Sequence, residues 1–244
     1  METIYLYCVT RKMLSSPDTL KGIGESPLEV IPWAELAGVG SMLPSENHSF
    51  TIQDLFQHKD IIECVHAFLP VIPMRFPSTL KGREKVIELL QQHSLQLEEI
   101  LDRLEDKVEI SLRVILDGES NSGGHLPKTE GAPAAWPGER LTHLRREKGI
   151  EYLRQKRQLQ DKERQLSLRA QEIHKILEQQ FIHLINESQF EFNRSMLSIN
   201  YLVRRNRLEE FERIFEDIKG VFPEKTLFSG PWPPYSFVPE FLEI

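Results

Sequence analysis

Eight histidines, His48, His58, His66, His93, His125, His143, His174 and His183, are scattered along the chain. None has the paired spacing with further Cys or His ligands that a structural zinc site requires. His58 and His66 share one side of a helical stretch, where a surface or core role is commoner than ligation. His174 and Glu178 stand one helical turn apart, the spacing of a solvated contact. Cys8 and Cys64 lie in apolar segments without a CxxC pair and read as reduced and buried. Gly22-Ile23-Gly24 is a fragment of a dinucleotide fingerprint. The Glu25, Ser26 and Pro27 that follow would disrupt the helix N-terminus needed to cradle phosphate. No GxxxxGK[ST], HExxH or GxSxG occurs. Glu98 with Glu99, and Glu209 with Glu210, are helix-face charges, not an acid/base pair in unequal environments. The expectation is a protein that is no enzyme, with no catalytic, cofactor-binding or metal-binding residues.

Binding chemistry is better represented. Arg75 is a cation in the apolar, proline-edged run LPVIPMRF at residues 69–76, so it must pair internally or face a partner. Residues 139–175 carry eleven Lys/Arg against six Asp/Glu, a local net of +5. That is either a solvated helix face or a docking stripe for an acidic or amphipathic partner. The chain as a whole has 244 residues and a net charge of −7, which repels nucleic acid and anionic membranes and argues against both as partners. No basic region precedes an apolar run at the start, and no stretch reaches the ~20 apolar residues of a membrane span. The expected location is cytoplasmic.

The elements that must position these residues follow from pattern. Residues 3–10, rich in β-branched and aromatic types, read as a strand; 28–33 and 38–43 read as a hairpin, with Pro32 favouring an edge. Apolar residues Leu55, Ile62, Val65 and Phe68 predict a helix, capped by Ser49 or Thr51. Residues 69–76 read as an extended edge. An amphipathic helix over 86–104 leads into clean alternation over 108–116, a strand with one buried face. Residues 117–138 are dense in Gly, Ser and Pro and read as a flexible linker. A long helical region follows over 139–185, with Tyr152, Leu159, Leu166 and Ile173 repeating every seven residues and Gly149 as a possible divider. Residues 196–203 read as a strand, then a helix carries Leu208, Phe211, Phe215 and Ile218. Asn206 with Glu209 supplies its cap, and Gly220 a left-handed stop. Residues 226–228 form a short strand before an extended, proline-rich aromatic tail.

The predicted fold class is α+β in two domains. Residues 1–116 form a ferredoxin-like sandwich, 117–138 a linker, 139–229 a second α+β domain with long helices, and 230–244 the tail.

Three segments together resemble the gas vesicle protein F/L family. Tyr5-Leu6-Tyr7 is similar to that family's YLYG opening, with Cys8 in place of glycine. The helix holding His58 is similar to its helix with His-x-x-Val/Ile, and Ile72-Pro73-Met74-Arg75-Phe76 to the LP[LV]RFGT strand that follows it, with Pro77-Ser78 where Gly-Thr is expected. Gly230-Pro231-Trp232-Pro233-Pro234-Tyr235-Ser236-Phe237 resembles its terminal signature almost residue for residue. The resemblance implies a non-enzymatic accessory protein of gas vesicles. Its implied partners are the major gas vesicle shell protein and other gas vesicle accessory proteins.

The candidate partner-binding residues are Arg75, Phe76, Trp232, Tyr235 and Phe237. A sheet edge at 69–76, the long helix, or the aromatic tail are the candidate surfaces; the tail could equally clamp its own core. The competing readings are an unrelated coiled-coil adaptor built on 152–173, and a small-molecule enzyme or sensor on the α+β sandwich.

Overall fold

The computed structural model describes residues 2–12, 20–116, 140–193, 195–222 and 224–238. The expected linker at 117–138, Pro223 and the outer tail from 239 lie outside the described residues. The fold is α+β, with two antiparallel sheets and their helices.

The first sheet is organised around β1 (Thr3–Arg11), whose residues 4–10 are all buried. It is flanked on one side by β3 (Leu36–Met42), which pairs with β2 (Leu28–Trp33). On the other side lie two three-residue strands, β4 (Val71–Pro73) and β5 (Thr79–Lys81). The hairpin and the edge position of β2 agree with the pattern of residues 28–43. β1 has no solvent face because both sides are covered. Ile4 and Leu6 pack with Val86, Leu90, Leu97 and Leu101. Tyr5, Tyr7 and Cys8 pack with Ile61, Ile62 and Val65.

Helix α1 (Ile52–His66) supplies that second layer, and its start is fixed locally. Asp54 N–H donates to the Thr51 hydroxyl at 3.3 Å, and Thr51 N–H donates back to the Asp54 carboxylate at 2.8 Å, a reciprocal cap. The single helix expected over 86–104 is instead two, α2 (Arg83–Gln92) and α3 (Ser94–Leu104), parted at His93. The break lets α2 lie over β2 and β3 while α3 turns across β4 and β1. Cys8 and Cys64 are free thiols as expected, although Cys64 is only half-buried.

The second sheet contains β6 (Lys107–Ile115), β7 (Ile185–Asn193), β8 (Met196–Arg204) and β9 (Lys225–Trp232), in the order β7-β8-β6-β9. Helices α4 (Arg140–Phe181) and α5 (Leu208–Lys219) complete a β-α-β-β-α-β chain order, the split βαβ arrangement. The alternating strand after α3 therefore joins this sheet and not the first. β6 pairs with β8 over its whole length and with β9 on its other side. Its apolar face, Val108, Ile110, Leu112 and Val114, meets Ala170, Ile173, Leu177 and Phe181 of α4. Both sheets arrange their four principal strands in one spatial order: second, third, first, fourth.

Three local expectations give way. Gly149 does not divide α4, which runs unbroken. The Asn206–Glu209 cap is replaced by a 3-10 turn, Arg205–Arg207, and α5 begins without a side-chain cap bond. Gly220 has φ −76°, an ordinary right-handed value, so the glycine there is not needed for a left-handed stop. Among the described residues no helix is long and apolar enough to cross a membrane, and no His/Cys/Asp/Glu group is arranged to hold a metal ion.

Leu202 of β8 and Phe237 belong to the core of the first sheet, which joins the two layers. The second core is aromatic. Phe181 stacks on Phe211 with centroids 4.0 Å apart, and Phe215 stacks on Phe228 at 5.0 Å. Phe211→Ala should therefore lose about 3–5 kcal/mol in urea denaturation. Leu153→Ala, on a stretch of α4 where Leu153 is 64% exposed, should stay within about 0.5 kcal/mol of the parent.

Candidate functional site

Helix α1 carries two apolar stripes. Asp54, His58, Ile61, Ile62 and Val65 face inward, whereas Ile52, Leu55 and Phe56 are 66%, 38% and 58% exposed. Leu55, whose spacing with Ile62 and Val65 predicts the helix, is thus on the outer one. Phe68, of the same spacing, is 83% exposed.

The outer stripe forms one wall of a cavity of about 520 Å³. Pro73 at the end of β4 and the Met74, Arg75 and Phe76 that follow it form the second wall; the end of β9 and the segment after it form the third, with Trp232, Tyr235 and Val238. Lys59 stands at the junction, its Nζ 5.5 Å from the Trp232 ring centroid, within cation–π range.

Each wall is held from behind. Met74 N–H donates to the Tyr7 carbonyl at 2.9 Å, and the Ser78 hydroxyl donates to the Arg75 carbonyl at 2.6 Å. His58, 3% exposed, lies between Met74 and Tyr5. Burial pulls its pKa down to about 4, against the opposing pull of the Met74 carbonyl, so the ring is neutral at pH 7. Nε2 must then carry the proton, because its partner is the Met74 carbonyl at 3.1 Å. Nδ1 accepts from the Tyr5 hydroxyl at 2.9 Å. Burial raises the Tyr5 and Tyr7 phenols above their ordinary range, so both remain donors. Tyr7 shares a 2.8 Å bond with the Ser41 hydroxyl and accepts from Ile23 N–H at 2.8 Å.

The chain end is fixed by a buried carboxylate. Glu109 on β6 is 4% exposed; burial raises its pKa, opposed by the donors of Ser236. Ser236 N–H and Oγ–H donate to its two oxygens at 2.7 and 2.8 Å. Asn200 donates to Ser236 Oγ at 2.7 Å and accepts from Ser111 Oγ at 2.7 Å. Gly230 has φ +132°, and a Cβ there would stand 2.9 Å from the Glu109 carbonyl oxygen, so β9 can approach β6 at that point only as glycine.

Arg75, Phe76, Trp232 and Tyr235 therefore come together in one cavity, although 156 positions separate Phe76 from Trp232 in the sequence. Arg75 is exposed and Phe76 half-buried. Phe237 does not line the cavity. It is 3% exposed, packed in the first core, and its carbonyl accepts from Arg103 at 2.5 Å. Pattern reading missed Leu55, Phe56, Lys59 and Val238; the available signal was that the apolar residues of α1 cover more than one stripe. Both ring nitrogens of His58 are occupied in holding the wall. What the arrangement offers is concave apolar and aromatic area for another molecule's apolar groups.

The sequence pattern of the gas vesicle synthesis protein GvpL/GvpF family matches residues 3–239. Gas vesicle protein F of Dolichospermum flosaquae is 24% identical over 120 residues, covering 48% of this chain and 49% of that protein. The chain thus spans about half the length of the curated relative it matches. The crystal structure of GvpF from Anabaena sp. PCC7120 superposes with a TM-score of 0.71 at 19% identity, covering 98% of this chain and 97% of that one. GvpF from Microcystis aeruginosa gives a TM-score of 0.69 at 20% identity, covering 96% and 98%. At these identities the structural likeness establishes the fold.

The buried histidines set a pH dependence. His58 and His66 both have pKa values drawn down to about 4, His66 by burial and then by Arg205. Folded values below the unfolded value of about 6.5 mean that the unfolded chain binds protons the folded chain refuses. Stability is therefore complete above about pH 6.5 and falls toward pH 4, by at most about 3 kcal/mol per histidine. In urea titrations the loss between pH 7 and pH 5 should shrink by about 2 kcal/mol in His66→Gln; an unchanged loss would place the titration elsewhere.

Proposed function

Because the chain belongs to the GvpL/GvpF family of gas vesicle synthesis proteins, we propose that it is a gas vesicle accessory protein that binds the major gas vesicle shell protein and assists nucleation or assembly of the vesicle, without catalysing a reaction. The observation that carries this reading is the cavity lined by Arg75, Phe76, Trp232 and Tyr235, in which two of the segments that resemble the family meet.

Physical chemistry supplies the need for such a helper. A shell built from small subunits with β-rich apolar surfaces must keep those surfaces from pairing at random before they join the growing wall. A concave apolar site with exposed Leu55, Phe56 and Tyr235 at its margin shields one such surface without enclosing the subunit, so release to the wall stays possible. Trp232 and Tyr235 give large contact area at modest entropic cost, and their backbone is already fixed by the Glu109–Ser236 bonds. The protein would act at the gas vesicle in the cytoplasm, alongside other accessory proteins.

Co-expression of the full chain with the major shell protein, followed by affinity capture, tests the reading. The parent should capture the shell protein. Phe56→Asp, at a position 58% exposed, should lose capture at least about tenfold while keeping its thermal midpoint. Val221→Asp, 71% exposed and away from the cavity, should behave as the parent. Capture unchanged in Phe56→Asp would remove the cavity from the interface, and no capture by the parent would remove the shell protein as its partner.

A further inference from the structure

An outer strand of a sheet points half of its N–H and C=O groups away from its neighbours, so each edge is open to strand addition unless something blunts it. Proline blunts an edge by removing a donor and breaking the line of the strand. Pro32 lies in β2, Pro73 in β4, and Pro231 in β9. β5 has no proline but only three residues, so β7 is the one long edge among the described residues that proline does not blunt. It has nine residues, INESQFEFN, with no proline, and among the described residues no strand pairs with its outer side.

The side chains of β7 sort by alternation into two faces. Glu187, Gln189 and Glu191 share one, and Ser188, Phe190 and Phe192 the other. On the second face Phe190 is 40% exposed and stacks on His174 at 4.7 Å. The first face looks into a cleft of about 370 Å³ whose walls include Gln189 on β7 and Gln96, Glu99 and Arg103 on α3. Arg103 pairs with Glu187 at 3.5 Å. Lys107, whose Nζ donates to the Arg103 carbonyl, also acts on Glu187, so Glu187 is matched and the carboxylates left over on this side are Glu191 of β7 and Glu99 of α3.

Those charges select the occupant. A second copy pairing antiparallel about Gln189 would set Glu187 opposite Glu191 twice, and directly opposed like charges destabilise a ladder. A segment with basic residues on one face and apolar residues on the other meets both faces of β7 favourably. We propose that the open edge of β7 binds an extended segment of a partner protein in which Lys or Arg alternates with apolar residues. The segment adds as a fifth strand to the second sheet, its cations toward Glu191 and Glu99 and its apolar side chains beside Phe190 and Phe192. This surface shares Val238 with the α1 cavity but none of its charged residues, and it stands whether or not that cavity binds the shell protein.

The probe is a capped peptide of alternating valine and lysine, with the same peptide carrying glutamate in place of lysine as its counterpart. Both are titrated against the full chain by fluorescence anisotropy and by hydrogen exchange. The lysine peptide should bind about tenfold more tightly than the glutamate peptide and slow amide exchange within Ile185–Asn193. Glu191→Lys, at an exposed position, should erase or reverse that preference without changing the thermal midpoint. Equal affinity for the two peptides, an unchanged preference in Glu191→Lys, or protection confined to α1 and the end of β9 would each overturn the assignment.

Discussion

The carboxylate of Glu109 is the point on which the arrangement of the chain end depends. It sits on the central strand of the second sheet with almost no exposure, where an ion without partners would be costly. Ser236 meets that demand with a backbone and a side-chain donor, and Asn200 and Ser111 complete the set. Satisfying one buried charge thereby fixes the path of the residues that precede it, including Trp232 and Tyr235. Phe237, one residue later, inserts into the core of the first sheet. The same short segment thus closes a polar network of one layer and an apolar gap of the other.

His58 does for the opposite wall what Glu109 does for the tail. Its neutral ring bridges Tyr5 on β1 and the carbonyl of Met74, so the position of Arg75 and Phe76 follows from the central strand of the first sheet. The two walls are built by different layers, and each is set by a buried titratable group whose bonds are filled. The cavity between them is preformed, which lowers the ordering cost of anything that binds there.

Much of this was legible in residue patterns because it is local. The Thr51 cap, the edge character forced by Pro32, and the alternation of β6 each depend on a few neighbouring residues. The candidate residues at 75, 76, 232 and 235 also emerged from sequence, Arg75 by its misfit in an apolar run and the others through a family resemblance. What was not legible depends on distant partners. The alternation of β6 predicts a half-buried strand without saying which sheet receives it, and only its long register with β8 decides. β7 is neither strongly apolar nor strictly alternating, so it becomes a strand because β8 lies beside it. The outer stripe of α1 is as apolar as the inner one, and its exposure follows from the inner stripe's already filling the space against β1. Pattern groups Phe237 with the other tail aromatics, as a partner contact or a clamp on its own core, and its burial follows from its position after Ser236.

Helix α4 has 42 residues, about 63 Å of rod at 1.5 Å per residue. Among the described residues its first fully buried side chain is Ala170, and residues 156–165 are exposed throughout. That exposed stretch, about 15 Å of rod, therefore stands clear of the second core like an oar fixed by its inner end. Drag on such a projection is set by its length more than by its mass, so the exposed stretch makes the tumbling of the body that carries it anisotropic.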